Sequence, residues 1–293
     1  MDDRVIDSYV EDDLDSVEDA PVAERLPVSK RHGISRKAIS AVVAELIGCF
    51  LFIFIGAGSI IANTWSQGAV GLIGIAAAHG LALGVLITIF GVTSGGHFNP
   101  AVTISLLVAR RITFVLAIFY VLAQLAGAIL GALMLRLVFP EHVWKAALLG
   151  TPGLSSGISV GAGIAIEALL AFFLMLTIYG TAIDSRAPKL GGLAIGLALL
   201  ADILGGGVLT GGAVNPARSF GPALVSNIWT NQFIYWIGPI VGAVLATCLY
   251  EYLILPRSEE DADFLEPTDD YDDDDDDESV VPQEVKERNF AAE

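Results

Sequence analysis

The sequence predicts an all-α membrane protein with six transmembrane helices and two re-entrant half-helices in an inverted repeat. Three observations predict this fold class: an apolar composition, six long apolar segments, and a short motif that occurs twice. Of the 293 residues, 54% are hydrophobic. The mean hydropathy of +0.65 is typical of a membrane protein and excludes an ordinary soluble domain.

The net charge of −17 belongs to the two ends of the chain. Residues 1–37 carry a net charge of −4 and residues 257–293 carry −14, whereas residues 38–256 carry +1. An acidic run such as that at 269–278 repels itself and cannot form a core. We therefore predict a membrane domain at 38–256 between two disordered acidic tails. Such tails would suit a salt-rich cytoplasm or a regulatory partner.

Six apolar segments are long enough to cross a hydrocarbon core of ~30 Å, which takes about 20 helical residues. They lie at 38–62, 69–92, 112–138, 158–182, 190–207 and 232–255. These runs are too long for barrel strands, and only helices or closed barrels satisfy their backbone in lipid. Basic residues cluster before the first, third and fifth segments and after the sixth. The positive-inside rule therefore predicts that both termini are cytoplasmic, and we expect the cell membrane as the location.

One decapeptide occurs in two versions, SGGHFNPAVT at 94–103 and TGGAVNPARS at 210–219. Both contain Gly-Gly followed by Asn-Pro-Ala, at an offset of 116 residues. Each half of the domain, about 38–138 and about 158–255, then has three spans and one broken segment. Because three is odd, the second half must be inverted relative to the first, as in proteins that bind solutes near the membrane midplane.

The Asn-Pro pairs are helix-start signals inside an apolar chain. Asn is a favoured N-cap, and Pro suits the first helical position, where no N–H is missed. A helix that starts at Asn99 and ends before Arg110 is ~15 Å long, which is half the hydrocarbon thickness. The second copy, from Asn215, does the same from the opposite face. The two helix amino ends should therefore meet near the bilayer centre.

This meeting point predicts a polar constriction. Each helix amino end carries about +0.5 charge, so the two together disfavour cations, including hydronium. The asparagine amides can donate to a passing water and orient it, which interrupts a proton wire. The glycines let the backbone approach the pore and expose carbonyl acceptors. The predicted pore residues are Asn99, Pro100, Ala101, Asn215, Pro216 and Ala217, with Gly95, Gly96, His97 and Gly211 beside them.

The paired motifs resemble those of the aquaporin family, the major intrinsic proteins, over roughly residues 38–256. The resemblance implies the aquaporin-like fold and a passive channel for water and small neutral solutes, with no cofactor and no enzymatic chemistry. It also implies a homotetramer in the lipid bilayer in which each protomer conducts. By position relative to the motifs, it implies a selectivity filter of His79, Ile203, Gly212 and Arg218, a set that resembles the plant tonoplast intrinsic proteins.

This filter departs from the strict water-channel pattern of the family. Arg218 offers five donors and a permanent charge, which replace lost water contacts and repel cations. With an apolar Ile203 and a small Gly212, we expect a wider and less polar constriction that also passes ammonia, hydrogen peroxide or urea. A glycerol or polyol facilitator is the alternative, because such proteins also resemble this chain. They typically carry an acid and a lysine where this chain has Ser219 and Ala223, which argues against this alternative.

Two buried acids, Glu45 and Glu167, lie in the first helix of each half. We interpret them as structural carboxylates that accept backbone N–H bonds from the non-helical stretch beside each half-helix. A second interpretation is a proton relay in a coupled transporter, together with Asp202. The sequence leaves Asp202 open between helix packing and the pore mouth.

Other chemistry finds little support in the sequence. The run GLSSG, with Ser155 at its centre, matches a nucleophile-elbow pattern but lacks the strand-turn-helix context that a hydrolase needs. The two cysteines, Cys49 and Cys248, lie in apolar segments and predict neither a disulfide framework nor a metal cluster. We expect no metal ion and no nucleic-acid partner.

Overall fold

The computed structural model describes residues 35–188 and 190–256. Within these residues the regular elements are helices, and six of them are long and apolar enough to cross a membrane. In chain order the helices are α1 (Arg36–Trp65), α2 (Gly71–Ser94), α3 (Pro100–Val108), α4 (Phe114–Val138), α5 (Glu141–Ala146), α6 (Val160–Ile178), α7 (Gly192–Thr210), α8 (Pro216–Ser226) and α9 (Ile234–Leu249). The predicted fold class is confirmed: α3 and α8 are the half-helices, and the other long helices are the spans.

Helix α1 begins at Arg36, two residues before the predicted start of the membrane domain. Ser35 is its N-cap, and the Ser35 hydroxyl accepts a hydrogen bond of 3.2 Å from the N–H of Ala38. This cap satisfies an orphan donor and lets the helix start earlier than hydropathy indicates. The remainder of the predicted acidic tails, residues 1–34 and 257–293, lies outside the described residues.

The connection between α4 and α6 contains structure that hydropathy did not predict. Helix α5 buries Val143 and Trp144, and a 3₁₀ turn at Leu148–Gly150 follows it. Six residues are too few for a periodicity signal, which explains the omission. This turn places the carbonyl of Gly150 within hydrogen-bond distance of Arg218, as described below.

The two repeats interlock through their half-helices. In the first repeat α1 packs against α2 and α4, and in the second α6 packs against α7 and α9. Helix α3 of the first repeat packs against α9 of the second, and α8 packs against α4. Each short helix is therefore held by a span of the other repeat.

Glycines make the closest contacts between spans. A Cβ at Gly84 would lie 3.0 Å from the carbonyl oxygen of Gly192, and one at Gly80 would overlap the carbonyl oxygen of Gly196. Similar approaches join α4 to α1 at Gly127 and Gly131 and join α9 to α6 at Gly238 and Gly242. The small-residue spacings in the sequence are thus packing positions, as in other membrane helices.

The outward faces of the spans are apolar. Large exposed side chains include Ile73 and Val92 on α2, Leu137 on α4 and Leu169 on α6. Exposed apolar area of this extent on every side fits contact with lipid rather than with water. The protein is a multi-pass integral membrane protein.

A polar network lies at the end of the bundle at which α1 begins, which we call the α1 end. Arg111 donates to both carboxylate oxygens of Glu251, at 2.7 and 3.0 Å, and the hydroxyl of Tyr179 donates to the same carboxylate at 2.9 Å. Nearby, Arg186 pairs with Asp184 through two bonds and lowers the pKa of that carboxyl to about 2. The Arg111–Glu251 pair joins the α3–α4 connection to the residues that follow α9. The Arg186–Asp184 pair lies within the connection between α6 and α7.

Candidate pore and selectivity filter

The half-helices begin at asparagine caps. Asn99 and Asn215 both have extended backbone, and each side-chain Oδ1 accepts from the N–H two residues on, at 2.8 and 2.9 Å. Pro100 and Pro216 occupy the first helical positions. The local structure is therefore the one that Asn-Pro favours.

The two caps also bind each other's loops. Asn99 Nδ2 donates to the carbonyl of Val214 at 3.0 Å, and Asn215 Nδ2 donates to the carbonyl of Phe98 at 2.8 Å. Because each Oδ1 accepts a backbone N–H, the orientation of both amides is determined. Each NH₂ group has two hydrogens, so one hydrogen of each asparagine remains for a solute.

The carbonyl-bearing residues Phe98 and Val214 have left-handed backbone, with φ of +46° and +56°. Non-glycine residues rarely adopt this region, and bulky or branched ones pay a conformational cost there. The two residues occupy equivalent places in the repeats, 116 positions apart. This conformation, which no residue preference predicts, turns each carbonyl toward the asparagine of the other repeat.

Glu45 fastens the first of these loops. Its carboxylate accepts four hydrogen bonds: from Ser94 Oγ at 2.7 Å, the N–H of His97 at 2.9 Å, the N–H of Phe98 at 2.7 Å and Gln124 Nε2 at 2.8 Å. The N–H groups of His97 and Phe98 can only donate, so each carboxylate oxygen accepts one backbone hydrogen bond and one side-chain hydrogen bond. Gln124 was missed at the sequence level, although a polar residue in an apolar span is itself a signal.

Glu167 does the same in the second repeat. It accepts from Thr210 Oγ1 at 2.6 Å, from the N–H of Ala213 at 3.0 Å and from the N–H of Val214 at 2.7 Å. Both acids are fully buried. Buried carboxylates that accept backbone N–H bonds hold the adjacent loop in place.

A cavity of about 350 Å³ runs from the asparagine pair toward Arg111 at the α1 end. Its wall includes both asparagines and the predicted Gly95, Gly96 and His97, with apolar side chains from α2, α6 and α7. Gly211 is not part of this wall: a Cβ there would meet Pro152. The twofold arrangement explains this, because Gly211 belongs to the opposite loop, beyond the asparagine pair.

The predicted filter residues lie on the far side of that pair. His79 Nδ1 faces the carbonyl oxygen of Ile75 at 2.9 Å and must donate to it, which leaves Nε2 as an acceptor. Arg218 is buried and donates from Nη1 to the carbonyl of Gly150 at 2.8 Å. Within the described residues, His79 Nε2 and Arg218 Nε are buried without a hydrogen-bond partner. Buried polar atoms of this kind call for a solvent or solute partner.

One turn of α1 supports both of these side chains. The ring of His79 packs against Gly56, where a Cβ would lie 2.5 Å from a ring carbon. Gly150, which binds Arg218, packs against the adjacent Ala57 in the same way. On the other wall, Gly212 abuts α7, and a Cβ there would lie 3.4 Å from Cα of Ile203.

The structure also shows the surroundings of three further residues noted in the sequence, Asp202, Ser155 and Cys49. Asp202 is 3% exposed, and its Oδ2 has no hydrogen-bond partner within the described residues. Ser155 Oγ donates to the carbonyl of Val208 at 2.6 Å, which occupies the hydroxyl and argues against a nucleophile. Cys49 Sγ donates to the carbonyl of Phe98 at 3.2 Å, a contact that the sequence did not reveal. No cluster of metal-ligating side chains occurs in the described part of the chain.

Comparison with known proteins agrees with this architecture. The family model for major intrinsic proteins matches residues 34–250. The chain is 42% identical to a probable aquaporin TIP3-2 of Arabidopsis thaliana, over 76% of this chain and 86% of the relative. It is 40% identical to aquaporin TIP4-4 of Zea mays, over 77% and 93%. It is 39% identical to aquaporin-4 of Mus musculus, over 75% and 68%.

A solved structure has the same fold. The X-ray structure of the aquaglyceroporin from Plasmodium falciparum superposes with a TM-score of 0.66 at 25% identity, over 74% of this chain and 97% of that one. The family match covers both half-helices and all six spans up to residue 250. The chain therefore belongs to the major intrinsic protein family, whose members are membrane channels for water or small solutes.

Proposed function

We propose that this protein is a passive channel that conducts water and small neutral solutes and excludes protons and ions. One observation carries the proposal: the caps of two opposed half-helices, Asn99 and Asn215, border a cavity and each retain a free amide hydrogen. A bilayer-spanning protein has no structural reason to leave such donors unpaired in lipid. They suit a solute that passes between them.

Proton exclusion follows from the same geometry. A water that accepts from both amides points its own hydrogens away along the pore, which interrupts a chain of hydrogen bonds. The amino ends of α3 and α8 add two partial positive charges at this point. Arg218 adds a full charge in the filter. Cations are therefore repelled by three positive charges, those of the two helix amino ends and that of Arg218.

The filter supports a permeant range somewhat wider than water. Ile203 offers an apolar wall, and Gly212, packed against it, offers no side chain. His79 and Arg218 supply one acceptor and further donors, which suits small molecules that both donate and accept. Water is the main permeant that we propose, with ammonia, hydrogen peroxide and urea as further candidates.

Coupled transport and enzymatic chemistry have weaker support. A proton on Glu45 would require Ser94 or Gln124 to reverse the hydrogen bond that it donates to the carboxylate. Asp202 is the acid with room for a proton, but one such group makes no relay. We therefore propose a channel without cofactor and not an enzyme or a transporter.

The membrane orientation is part of this proposal. Six spans leave both tails on one face of the membrane. The described cations at the α1 end are Arg36, Lys37, Arg110, Arg111 and Arg186. By the positive-inside rule this face is cytoplasmic. The proposed location is the cell membrane, and the proposed assembly is a homotetramer with one pore per protomer.

Stopped-flow light scattering on purified protein in liposomes tests the permeant range. We expect faster water and ammonia entry than in protein-free liposomes and glycerol entry near the protein-free rate. Rapid glycerol entry would instead establish a polyol facilitator. Water flux without faster ammonia entry would refute the wider filter. Uptake that saturates and collapses with an uncoupler would establish a transporter.

A further inference from the structure

The imidazole of His97 is held by one hydroxyl, that of Thr103. His97 Nδ1 lies 3.1 Å from Thr103 Oγ1, at the first turn of α3. The ring edge of Tyr120, with centroids 5.1 Å apart, supports the imidazole from α4. His97 Nε2 makes no hydrogen bond within the described residues, and it lies beside Gly95, where a Cβ would be 3.3 Å away. His97 and Gly95 both line the cavity, so Nε2 lies at the cavity wall.

Counting hydrogens around Thr103 decides the tautomer of this histidine. Thr103 Oγ1 has three neighbours: Gln124 Nε2 at 2.9 Å, the carbonyl oxygen of Asn99 at 3.1 Å, and His97 Nδ1. Gln124 must present its NH₂ group here, because the same group donates to the carboxylate of Glu45. The carbonyl of Asn99 can only accept, so it takes the single hydrogen of the hydroxyl.

All three contacts are hydrogen bonds only when His97 Nδ1 carries a hydrogen. In the other tautomer, the one hydroxyl hydrogen would have to serve both Nδ1 and the Asn99 carbonyl. We propose that Thr103 is a positioning residue that holds His97 in the Nδ1–H tautomer and so presents Nε2 as an acceptor to the cavity.

This inference rests on the proposed channel function and extends its mechanism. Between the α1 end and the pore centre, a solute meets an acceptor at His97 and then the donors of Asn99 and Asn215. A water in this half must point its hydrogens toward the α1 end, which is also the orientation that the asparagine pair imposes. Neutral molecules that both donate and accept, such as water and ammonia, fit this order, and solutes without a donor hydrogen do not.

The repeat offers a matched control for Thr103. Ser219 is its counterpart in α8, and the residue that corresponds to His97 is Ala213. Ser219 Oγ donates to the carbonyl of Pro216 at 2.9 Å and has no imidazole to position. Removal of this hydroxyl by Ser219→Ala tests for general effects of losing a buried hydroxyl from a half-helix.

The test combines the ¹⁵N spectrum of labelled histidine, recorded in liposomes, with osmotic water permeability per channel. The chain has four histidines, and a His97→Phe spectrum assigns the signal by difference. We expect a protonated Nδ1 and a bare Nε2 in the wild type, in Thr103→Ser and in Ser219→Ala. In Thr103→Val, which keeps the shape, we expect Nε2–H to appear and water permeability to fall roughly two- to tenfold, the range for one hydrogen bond.

A wild-type spectrum with a protonated Nε2 overturns the proposal without any variant. So does a Thr103→Val protein that keeps the wild-type tautomer, or one that changes tautomer with no change in water permeability. If wild-type liposomes pass water no faster than protein-free liposomes, the proposed function fails instead. The wild-type and Thr103→Val spectra then still decide whether Thr103 positions the imidazole.

Discussion

Two carboxylates bear most of the constraint on the pore loops. Glu45 and Glu167 accept hydrogen bonds from the N–H groups of Phe98 and Val214, and these two residues have a left-handed backbone, which carries a conformational cost. In Glu45 each oxygen accepts two hydrogen bonds, whereas in Glu167 one oxygen accepts two and the other accepts one. The two carboxylates occupy equivalent places in the repeats but accept different numbers of hydrogen bonds.

This inequality predicts a difference between two equivalent variants. In Glu45→Gln the amide NH₂ replaces an oxygen that accepts two donors, so a backbone N–H bond is lost at either position, and Ser94 or Gln124 must in addition reverse the bond that it donates. In Glu167→Gln the NH₂ can replace the oxygen with one donor. We expect thermal unfolding in detergent to show a loss of roughly 3 kcal/mol for Glu45→Gln and about half of that for Glu167→Gln. Equal losses would contradict this accounting of donors.

In the proposed filter, Arg218 supplies the fixed charge and limits the width. Its side chain is held between the Gly150 carbonyl and the pore, and it is a buried arginine with an unpaired Nε. In Arg218→Val the filter should widen and lose its charge, so urea and glycerol should enter liposomes several-fold faster while water entry persists. Arg218→Lys, which keeps a charge but not the fork of donors, serves as the comparison. Unchanged solute selectivity in Arg218→Val would refute the filter assignment.

Sequence patterns predicted the asparagine caps of the proposed pore better than they predicted the side chains that hold the pore loops. The caps Asn99 and Asn215 are local signals, and their helices start where Asn-Pro predicts. Thr103 and Gln124 contact the site only through tertiary packing, and a sequence shows no such contact. The crossed bonds from each asparagine to the other loop depend on positive φ at Phe98, which no residue preference indicates.

At the scale of helices, backbone contact replaces side-chain packing along α2 and α7. Gly80 and Gly84 lie against Gly196 and Gly192. This approach brings together the helices that carry His79 and Ile203, two residues of the proposed filter that come from different repeats. The six spans could be predicted because each is a continuous apolar run, whereas the pairing of α3 with α9 and of α8 with α4 joins segments that are distant in sequence.

Two glycines of α7 test the contact. A Cβ at Gly196 would overlap the carbonyl oxygen of Gly80, whereas one at Gly205 would meet nothing within 4 Å. We expect Gly196→Ala to lower the melting temperature, by a cost of ~1–3 kcal/mol for overpacking. Gly205→Ala should be neutral or stabilising by up to about 1 kcal/mol, since alanine favours the helix. A stable Gly196→Ala protein would show that the spans separate easily.

For the molecule as a whole, the pore lies within one chain and within the part that the family model matches. That match ends at residue 250, before the acidic C-terminal segment begins. The segment contributes most of the negative charge of the protein, and none of the pore residues belongs to it.

Deletion of residues 258–293 should therefore leave water permeability per channel unchanged. The measurement is osmotic shrinkage of liposomes with equal amounts of inserted wild-type and shortened protein. Equal insertion is checked by the protein content of floated liposomes. A collapse of flux at equal insertion would make the tail a gate, and the pore would then need it.

The most direct measurement is water and proton permeability on the same liposomes, with an osmotic step followed by a pH step. A constriction at which the amino ends of α3 and α8 face each other should pass water well above the protein-free rate. It should let protons through no faster than bare lipid. Proton entry that rises in parallel with water entry would contradict this account, because an uninterrupted water wire would then run past Asn99 and Asn215.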